Sequence, residues 1–471
     1  MGQKVVVLGL DCVPPSFLFG PLGAELPNLS ALVEGGLHGA LRSCAPPITV
    51  PAWSCMFSGR DPGELGLYGF RTREAGAVTQ RVVHSGDVLG ARVWDRVGAA
   101  GGRTLSLFVP PSHPPPPIEG ALVSCLLTPG ADSIFTEPRR LGSELRARFG
   151  DYRMDVADFR KLDGAALIAE LSTMTAQHFD IARYLYTREQ PDLMLMVEVG
   201  TDRLHHGCYH LLDPDSPAHD GSDPLREAAV DYYRTLDRQV GEFLSSLQPG
   251  TAVIVASDHG ARPLHGAIAV NQWLMEQGYL CFEEEPTEVT PAAALSIDWA
   301  RTRAWAEGGY YARIHLNRVG REPRGIVAEA DFEAELEALS EALGALPGRD
   351  GEVLSHRLLR PQQHYRACRG QPPDLMAFFG DLDYRAIATV GPAGRYPIVQ
   401  EHNDSGPDAC NHDWDGVFVL AGARGQRRGV LEGAAIYDVH QTILGLMGID
   451  TREDLLGVDR SRGELRGAAG P

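Results

Sequence analysis

Three short apolar runs organise this chain: Val5 to Leu10, Met194 to Val199 and Ala252 to Ala256, each followed within a few residues by an aspartate. Runs of this length rich in Val, Ile and Leu fit buried strands of a parallel sheet covered on both faces. Between them, Gly164 to Arg188 and Asp223 to Leu247 carry apolar residues every three to four positions, the period of crossover helices. After Tyr279 the pattern changes. Phe282 to Ala293 is acidic and contains proline, a Gly/Arg/Pro-rich stretch follows, and Glu329 to Leu346 again has helical spacing. Core character returns in the strand-like Gly416 to Ala421 and the apolar helix around Tyr437 to Met447. The expected fold is therefore an α/β core formed by residues 1–281 and 401–471, with residues 282–400 as an inserted cap-like region. The tail after Gly463 is expected to fray.

At 471 residues, with 44% hydrophobic and 22% charged positions, the chain has the composition of a globular protein able to bury a large core. Its net charge of -19 argues against a nucleic-acid polymer or an anionic membrane as partner. The apolar run at residues 1–10 is too short for a leader and reads as a strand. No segment approaches the ~20 apolar residues of a membrane span. Eight cysteines scattered without a CxxC pair suit a reducing compartment, so a soluble cytoplasmic protein is expected.

Ligands of parallel sheets bind beyond the carboxyl ends of the strands, so Asp11, Asp202 and Asp258 are placed to converge in one crevice. Singly, each is better explained as a loop or helix cap; the three together point to a site. In GTDRLHH, Asp202 and His206 stand four residues apart, which puts both on one face of a helical turn, with His205 as the competing imidazole. SDHG places Asp258 and His259 directly after a strand, where Gly260 is expected to relieve backbone strain. His412 follows Asn411 just before the last strand-like run. Carboxylates mixed with imidazoles suit Zn²⁺, with Mn²⁺ or Fe as alternatives. A nucleophile candidate lies in CAPPITVPAWSCMFSG: Thr49 begins what reads as a helix, where an ordinary N-cap and a phosphate-facing hydroxyl are both possible roles. Ser43, Ser54 and Cys44 are weaker candidates.

The segments GLDCVPP, LPNLSALVEGG, PPITVPAWSCMFSGRDPGELGLYGF, TDRLHHGCYHLLDP, SDHG and NHDWDGVFVLAG, in that order, resemble the type I phosphodiesterase and nucleotide pyrophosphatase branch of the alkaline phosphatase superfamily. Weaker segments resemble its bacterial and archaeal predicted phosphohydrolase or phosphomutase group. The resemblance implies an alkaline-phosphatase-like fold and two divalent metal ions. Asp202, His206 and His412 would hold one; Asp11, Asp258, His259 and the Thr49 hydroxyl would hold the other. It further implies attack by Thr49 on a small phosphorylated substrate, with a covalent phosphothreonine as intermediate. Cys12 and His440 depart from the family pattern, and Ala52 and Trp53 stand where nucleotide pyrophosphatases commonly place an Asn. The implied activity is cleavage of a phosphodiester or pyrophosphate bond. A phosphomonoesterase or phosphomutase is the alternative, and an inactive binding protein of the same fold a further one. A monoester dianion would need an extra cation, for which Arg71, Arg203, Arg262 and His265 are the candidates. No C/S-x-P-x-R sulfatase motif lies at the nucleophile.

Overall fold

The computed structural model describes residues 2–74, 79–404, 406, 408–450 and 453–462; the expected frayed tail lies outside them. Val5–Leu10 occupies the middle of a ten-stranded sheet, paired in parallel with Leu193–Glu198 on one side and Ala252–Ala256 on the other. Thr104–Leu107 and Gly120–Val123 extend the sheet in parallel beyond Leu193–Glu198. On the opposite flank Asp415–Ala421 runs antiparallel between Ala252–Ala256 and Leu37–Arg42.

Side chains alternate along a strand, so a strand covered on both faces must be apolar throughout. Val6, Leu8 and Leu10 accordingly enter one core with Met194, Met196, Val253 and Val255, while Val5 and Val7 enter a second with Leu193, Leu195 and Ile254. The first core is closed by the helices Gly164–Glu189 and Leu225–Ser245, the second by Thr49–Met56, Val93–Ala99 and Tyr437–Met447. Each fully buried Leu or Val contributes about 1.5–3 kcal/mol. One gap in the apolar run has its own reason: a Cβ on Gly9 would stand 2.5 Å from Cη2 of Trp53, so glycine there lets that indole lie against the strand.

A further unit has a core of its own. Ala304–Glu307, Ala312–Leu316, Leu375–Phe378 and Arg357–Leu359 form an antiparallel sheet whose cluster includes Ile314, Leu316 and, from the helix Phe332–Gly344, Leu336 and Leu339. The same cluster draws in Ile268, Val270, Trp273 and Leu274, residues ahead of position 282, because Gly266–Ala269 pairs with Tyr384–Ile387.

Among the described residues no helix is long and apolar enough to cross a membrane.

Candidate active site

The parallel register decides which loops meet. Gly9 lies opposite Val197 and Ala256, so Asp11, Val199 and Asp258 leave the sheet at one level. The helix Gly200–Leu212 starts there, carrying Asp202 in its first turn and His206 one turn on. His205 faces away. Its Nδ1 bonds the Cys12 carbonyl and its Nε2 the Tyr233 hydroxyl, and burial pushes its pKa down to about 3, which leaves His206 as the imidazole turned to the crevice. His412 arrives on Cys410–Asp413, which runs antiparallel to Gly260–Pro263. Gly260 serves close approach rather than strain relief: a Cβ would meet the Asp415 carbonyl oxygen at 2.2 Å. Strain sits instead at Cys12, whose φ of +67° is a conformation that favours glycine.

Three imidazoles share one orientation. Nδ1 of His206 donates to Asp408 Oδ1 at 2.7 Å, that of His412 to the Pro47 carbonyl at 2.9 Å, and that of His259 to the Gly260 carbonyl at 3.0 Å. Each Nε2 is therefore left as a lone-pair donor, the arrangement in which outer partners fix a ligating histidine. The Nε2 atoms of His206 and His412 are 3.4 Å apart and lie 3.4 and 3.5 Å from Asp202 Oδ1. A tetrahedron with bonds of 2.0–2.1 Å has edges of about 3.3–3.4 Å, so this triangle fits one face of a zinc-type site. His259 Nε2 lies 3.3 Å from Asp258 Oδ2 and 3.6 Å from Asp11 Oδ1, a second set. Asp11 Oδ1, Asp202 Oδ1, Asp258 Oδ2 and His259 Nε2 are buried without a hydrogen-bond partner. Buried orphan acceptors on three carboxylates are costly unless cations satisfy them, so the residues fit divalent metals. Two buried thiols border the cluster as well, Cys12 beside His259 and His412, and Cys410 beside His206 and Asp408.

The electrostatics agree except at His206, where the burial penalty is outweighed by Asp408, Cys410 and Asp202 and the pKa rises, so a cation at its Nε2 would displace a proton. Burial, reinforced by the neighbouring Asp202 carboxylate, pushes the Asp11 carboxyl up to about 8. Burial with Asp11 and Asp202 raises Asp258 too. Burial takes His412 down to about 4 and lowers His259, keeping both imidazoles neutral. For Asp202 the burial penalty is outweighed by His206, His412 and Arg203, and its pKa falls.

Thr49 is the first residue of the helix Thr49–Met56, and the N-cap is Ile48. Its side chain is therefore not the cap, which removes the ordinary explanation for a Thr at that point. The helix is tied to the cluster at both sides of Thr49. Pro47 accepts from His412, and Trp53, one turn further on the same face, donates from Nε1 to Asp11 Oδ2 at 2.9 Å.

Of the four proposed substrate contacts, only Arg203 reaches the cluster, and it is already engaged: Nη1 meets Asp202 Oδ2 at 2.6 Å, while Nε and Nη2 clamp Asp155 at 2.9 and 2.8 Å. Among the described residues Arg71, Arg262 and His265 make no hydrogen bond or ion pair with it. Arg71 and His265 are exposed, and Arg262 is held by Asp383, Asp413 and the Asp381 carbonyl.

Four residues near the cluster, Asp408, Arg385, Arg160 and Tyr310, were not legible in the sequence. Asp408, fully buried at its side chain, holds His206 and pairs with Arg385 at 2.9 Å and Arg160 at 3.3 Å. Tyr310 stacks on His412 with ring centroids 3.7 Å apart. A histidine's outer-shell carboxylate is typically worth 10–100-fold in metal affinity. Asp408→Asn, which keeps shape and removes charge, is therefore expected to weaken metal binding by about that factor with little change of fold, as read by metal titration of the apoprotein alongside circular dichroism.

The family model described as type I phosphodiesterase / nucleotide pyrophosphatase matches residues 5–408. No curated protein sequence is significantly similar to the chain. Among solved structures, phosphonoacetate hydrolase from Sinorhizobium meliloti 1021 in complex with phosphonoformate is similar at 15% identity and a TM-score of 0.59, covering 95% of this chain and 96% of that one. Human ectonucleotide pyrophosphatase / phosphodiesterase 5 is similar at 14% identity and 0.53, over 98% and 99% of the two chains. The murine counterpart, an inactive threonine-to-alanine variant in complex with AMP, is similar at 13% identity and 0.51, over 97% of each.

Proposed function

The chain belongs to the type I phosphodiesterase / nucleotide pyrophosphatase family, whose chemistry is metal-dependent phosphoester hydrolysis, and on that premise we propose that it cleaves a small phosphodiester through a covalent intermediate on Thr49. The observation that carries this reading is the common orientation of His206, His259 and His412, each pinned at Nδ1 with Nε2 turned to carboxylate oxygens that have no other partner. One cation is assigned to Asp202, His206 and His412, the other to Asp11, Asp258, His259 and Thr49, with Zn²⁺ the best match to the donor set and Mn²⁺ or Fe the alternatives.

Bound divalent cations supply Lewis-acid charge to the attacking and leaving oxygens. The protein supplies the rest. Thr49 Oγ1 attacks phosphorus, and the Thr49 and Val50 amides, which head the helix without partners one turn back, offer donors to a phosphoryl oxygen. Trp53 holds Asp11, and Pro47 holds His412, so the nucleophile's helix and the ligands move as one piece. Water then hydrolyses the phosphothreonine. The threonine-to-alanine inactivation of the murine relative supports the role given to Thr49.

Charge favours a diester over a monoester. Two divalent cations balance Asp11, Asp202, Asp258 and a Thr49 alkoxide; around them Arg203, Arg385 and Arg160 face Asp155 and Asp408, a surplus of one positive charge. That suits a monoanion, whereas a dianion would lack its second countercharge. The purified metal-loaded enzyme should show a higher kcat/KM on bis-p-nitrophenyl phosphate than on p-nitrophenyl phosphate. A higher value on the monoester would overturn the assignment and favour the phosphatase or phosphomutase reading. We further assign substrate choice to the unit that begins with Gly266–Ala269 and runs to Val399–Gln400, because it brings Tyr310 and Arg385 to the cluster.

A further inference from the structure

Tyr310 reaches the cluster from outside the core, and the way it is held is specific. Gly308 and Gly309 precede it, and a Cβ on Gly308 would stand 2.7 Å from the Ala386 carbonyl oxygen. That glycine lets the loop press against Tyr384–Ile387, where Gly309 and Ala386 exchange both backbone hydrogen bonds at 2.8 and 3.0 Å. The following Tyr311 donates its hydroxyl to the Tyr68 carbonyl at 2.6 Å, and Asn411 donates to the Tyr310 carbonyl at 3.4 Å. Side-chain contacts then fix the ring: His412 stacks on it at 3.7 Å, and the Arg385 guanidinium packs over it 4.3 Å from the centroid. The phenol that results is aimed inward. Tyr310 Oη lies 3.3 Å from His206 Nε2, the atom assigned to the first metal.

A Tyr in a packed core usually turns its hydroxyl to a backbone carbonyl, as Tyr311 does. Tyr310 instead places its only polar side-chain atom beside an imidazole nitrogen of the carboxylate and imidazole cluster. With that nitrogen holding a cation, the hydroxyl would be left to donate to an oxygen beside the cation.

We propose that Tyr310 is a catalytic residue of the hydrolysis inferred above, the donor of a hydrogen bond to the leaving oxygen as the P–O bond breaks. The inference rests on the diesterase reading. In the step, the Thr49 Oγ1–P bond forms and the bond from phosphorus to the leaving oxygen breaks, with its electron pair staying on that oxygen. The Thr49 proton passes to solvent, and a solvent proton completes the departing alcohol, so the phenol remains neutral throughout and acts by its dipole. The cation over its ring sharpens that dipole. Such a donor matters in proportion to the charge that develops on the leaving oxygen: little for a nitrophenolate, which delocalises its charge, and much for an alkoxide, which cannot.

Tyr310→Phe keeps the ring and its stack on His412 and deletes only the hydroxyl. With the intact chain, turnover is compared on bis-p-nitrophenyl phosphate and on a methyl or glyceryl diester with an alkyl leaving group. The expected result is a fall in kcat of about 100-fold on the alkyl substrate, in the range for losing one oxyanion donor, and less than about threefold on the nitrophenyl substrate. Metal affinity of the apoprotein, measured by titration, and the melting temperature should match the wild type. Equal losses on the two substrates, or none, would overturn the proposal in favour of a packing role. A loss of metal affinity would overturn it in favour of Tyr310 as a metal ligand. If the wild-type protein turned over neither diester, the diesterase reading itself would be at fault, an outcome readily distinguished from the others.

Discussion

Replacing Thr49 by alanine is expected to leave a folded, metal-binding protein whose kcat on its best diester is lower by roughly 10³–10⁵-fold. The size follows from what would remain: positioning and electrostatic stabilisation without an atom to take the phosphoryl group. Folding should survive, because Ile48 and not Thr49 is the N-cap of the helix, and the helix is anchored by the buried residues Val50, Ala52, Trp53 and Met56. Thr49→Ser restores a hydroxyl at the same position and should recover part of the lost rate, its extra rotational freedom holding it short of wild type. Acid quenching of the wild-type reaction followed by mass spectrometry should place phosphate on Thr49. A Thr49→Ala enzyme with kcat within a few-fold of wild type would eliminate the covalent route.

Stripping the metals should abolish turnover and lower stability together. Asp11, Asp202 and Asp258 are fully buried around one point with orphan oxygens. Without countercharge those carboxylates must either repel one another or take up protons. A ligand present at a thousandfold excess over its dissociation constant stabilises the native state by about 4 kcal/mol. Exhaustive chelation should therefore reduce activity to background and lower the melting temperature by several degrees, and Zn²⁺ or Mn²⁺ should restore both. Metal affinity should fall as pH is lowered, because the ligands bind deprotonated. Elemental analysis should give two ions per active chain, and Asp202→Ala, which removes a ligand of the first set, should give fewer. Full activity in chelated protein, or less than one ion per active chain, would end the two-metal reading.

The agreement between sequence and fold was closest where one face of the physics dominated. Val5 to Leu10, Ala252 to Ala256 and Tyr437 to Met447 match their observed elements to the residue, since a strand buried on both faces or a helix with one buried stripe leaves its period in the apolar positions. Boundaries set by other forces shifted. Leu225–Ser245 begins two residues later and ends two earlier than its apolar spacing implied, and Gly266–Ala269 joins the second unit through strand pairing that no local pattern announces.

The same division runs through the site. Asp11, Asp202, His206, Asp258, His259 and His412 were all singled out in the sequence; the meeting of the first five follows from local spacing, each being a metal-type side chain placed just beyond a buried strand or one helical turn away. His412, Asp408, Arg385 and Tyr310 come from distant segments, and only the pairing of Cys410–Asp413 with Gly260–Pro263 and the docking of the second unit bring them in. Which of the two adjacent histidines faces the crevice was likewise settled by tertiary contacts, with Tyr233 and the Cys12 carbonyl occupying His205 and Asp408 orienting His206. The sequence by itself determined the parallel core and the chemical types at its strand ends, since hydrophobic period and local offset are properties of neighbours along the chain. Only the tertiary structure decided which nitrogen of each imidazole is free, whether each arginine is already paired and which phenol looks into the cluster, since those depend on groups brought together across hundreds of residues.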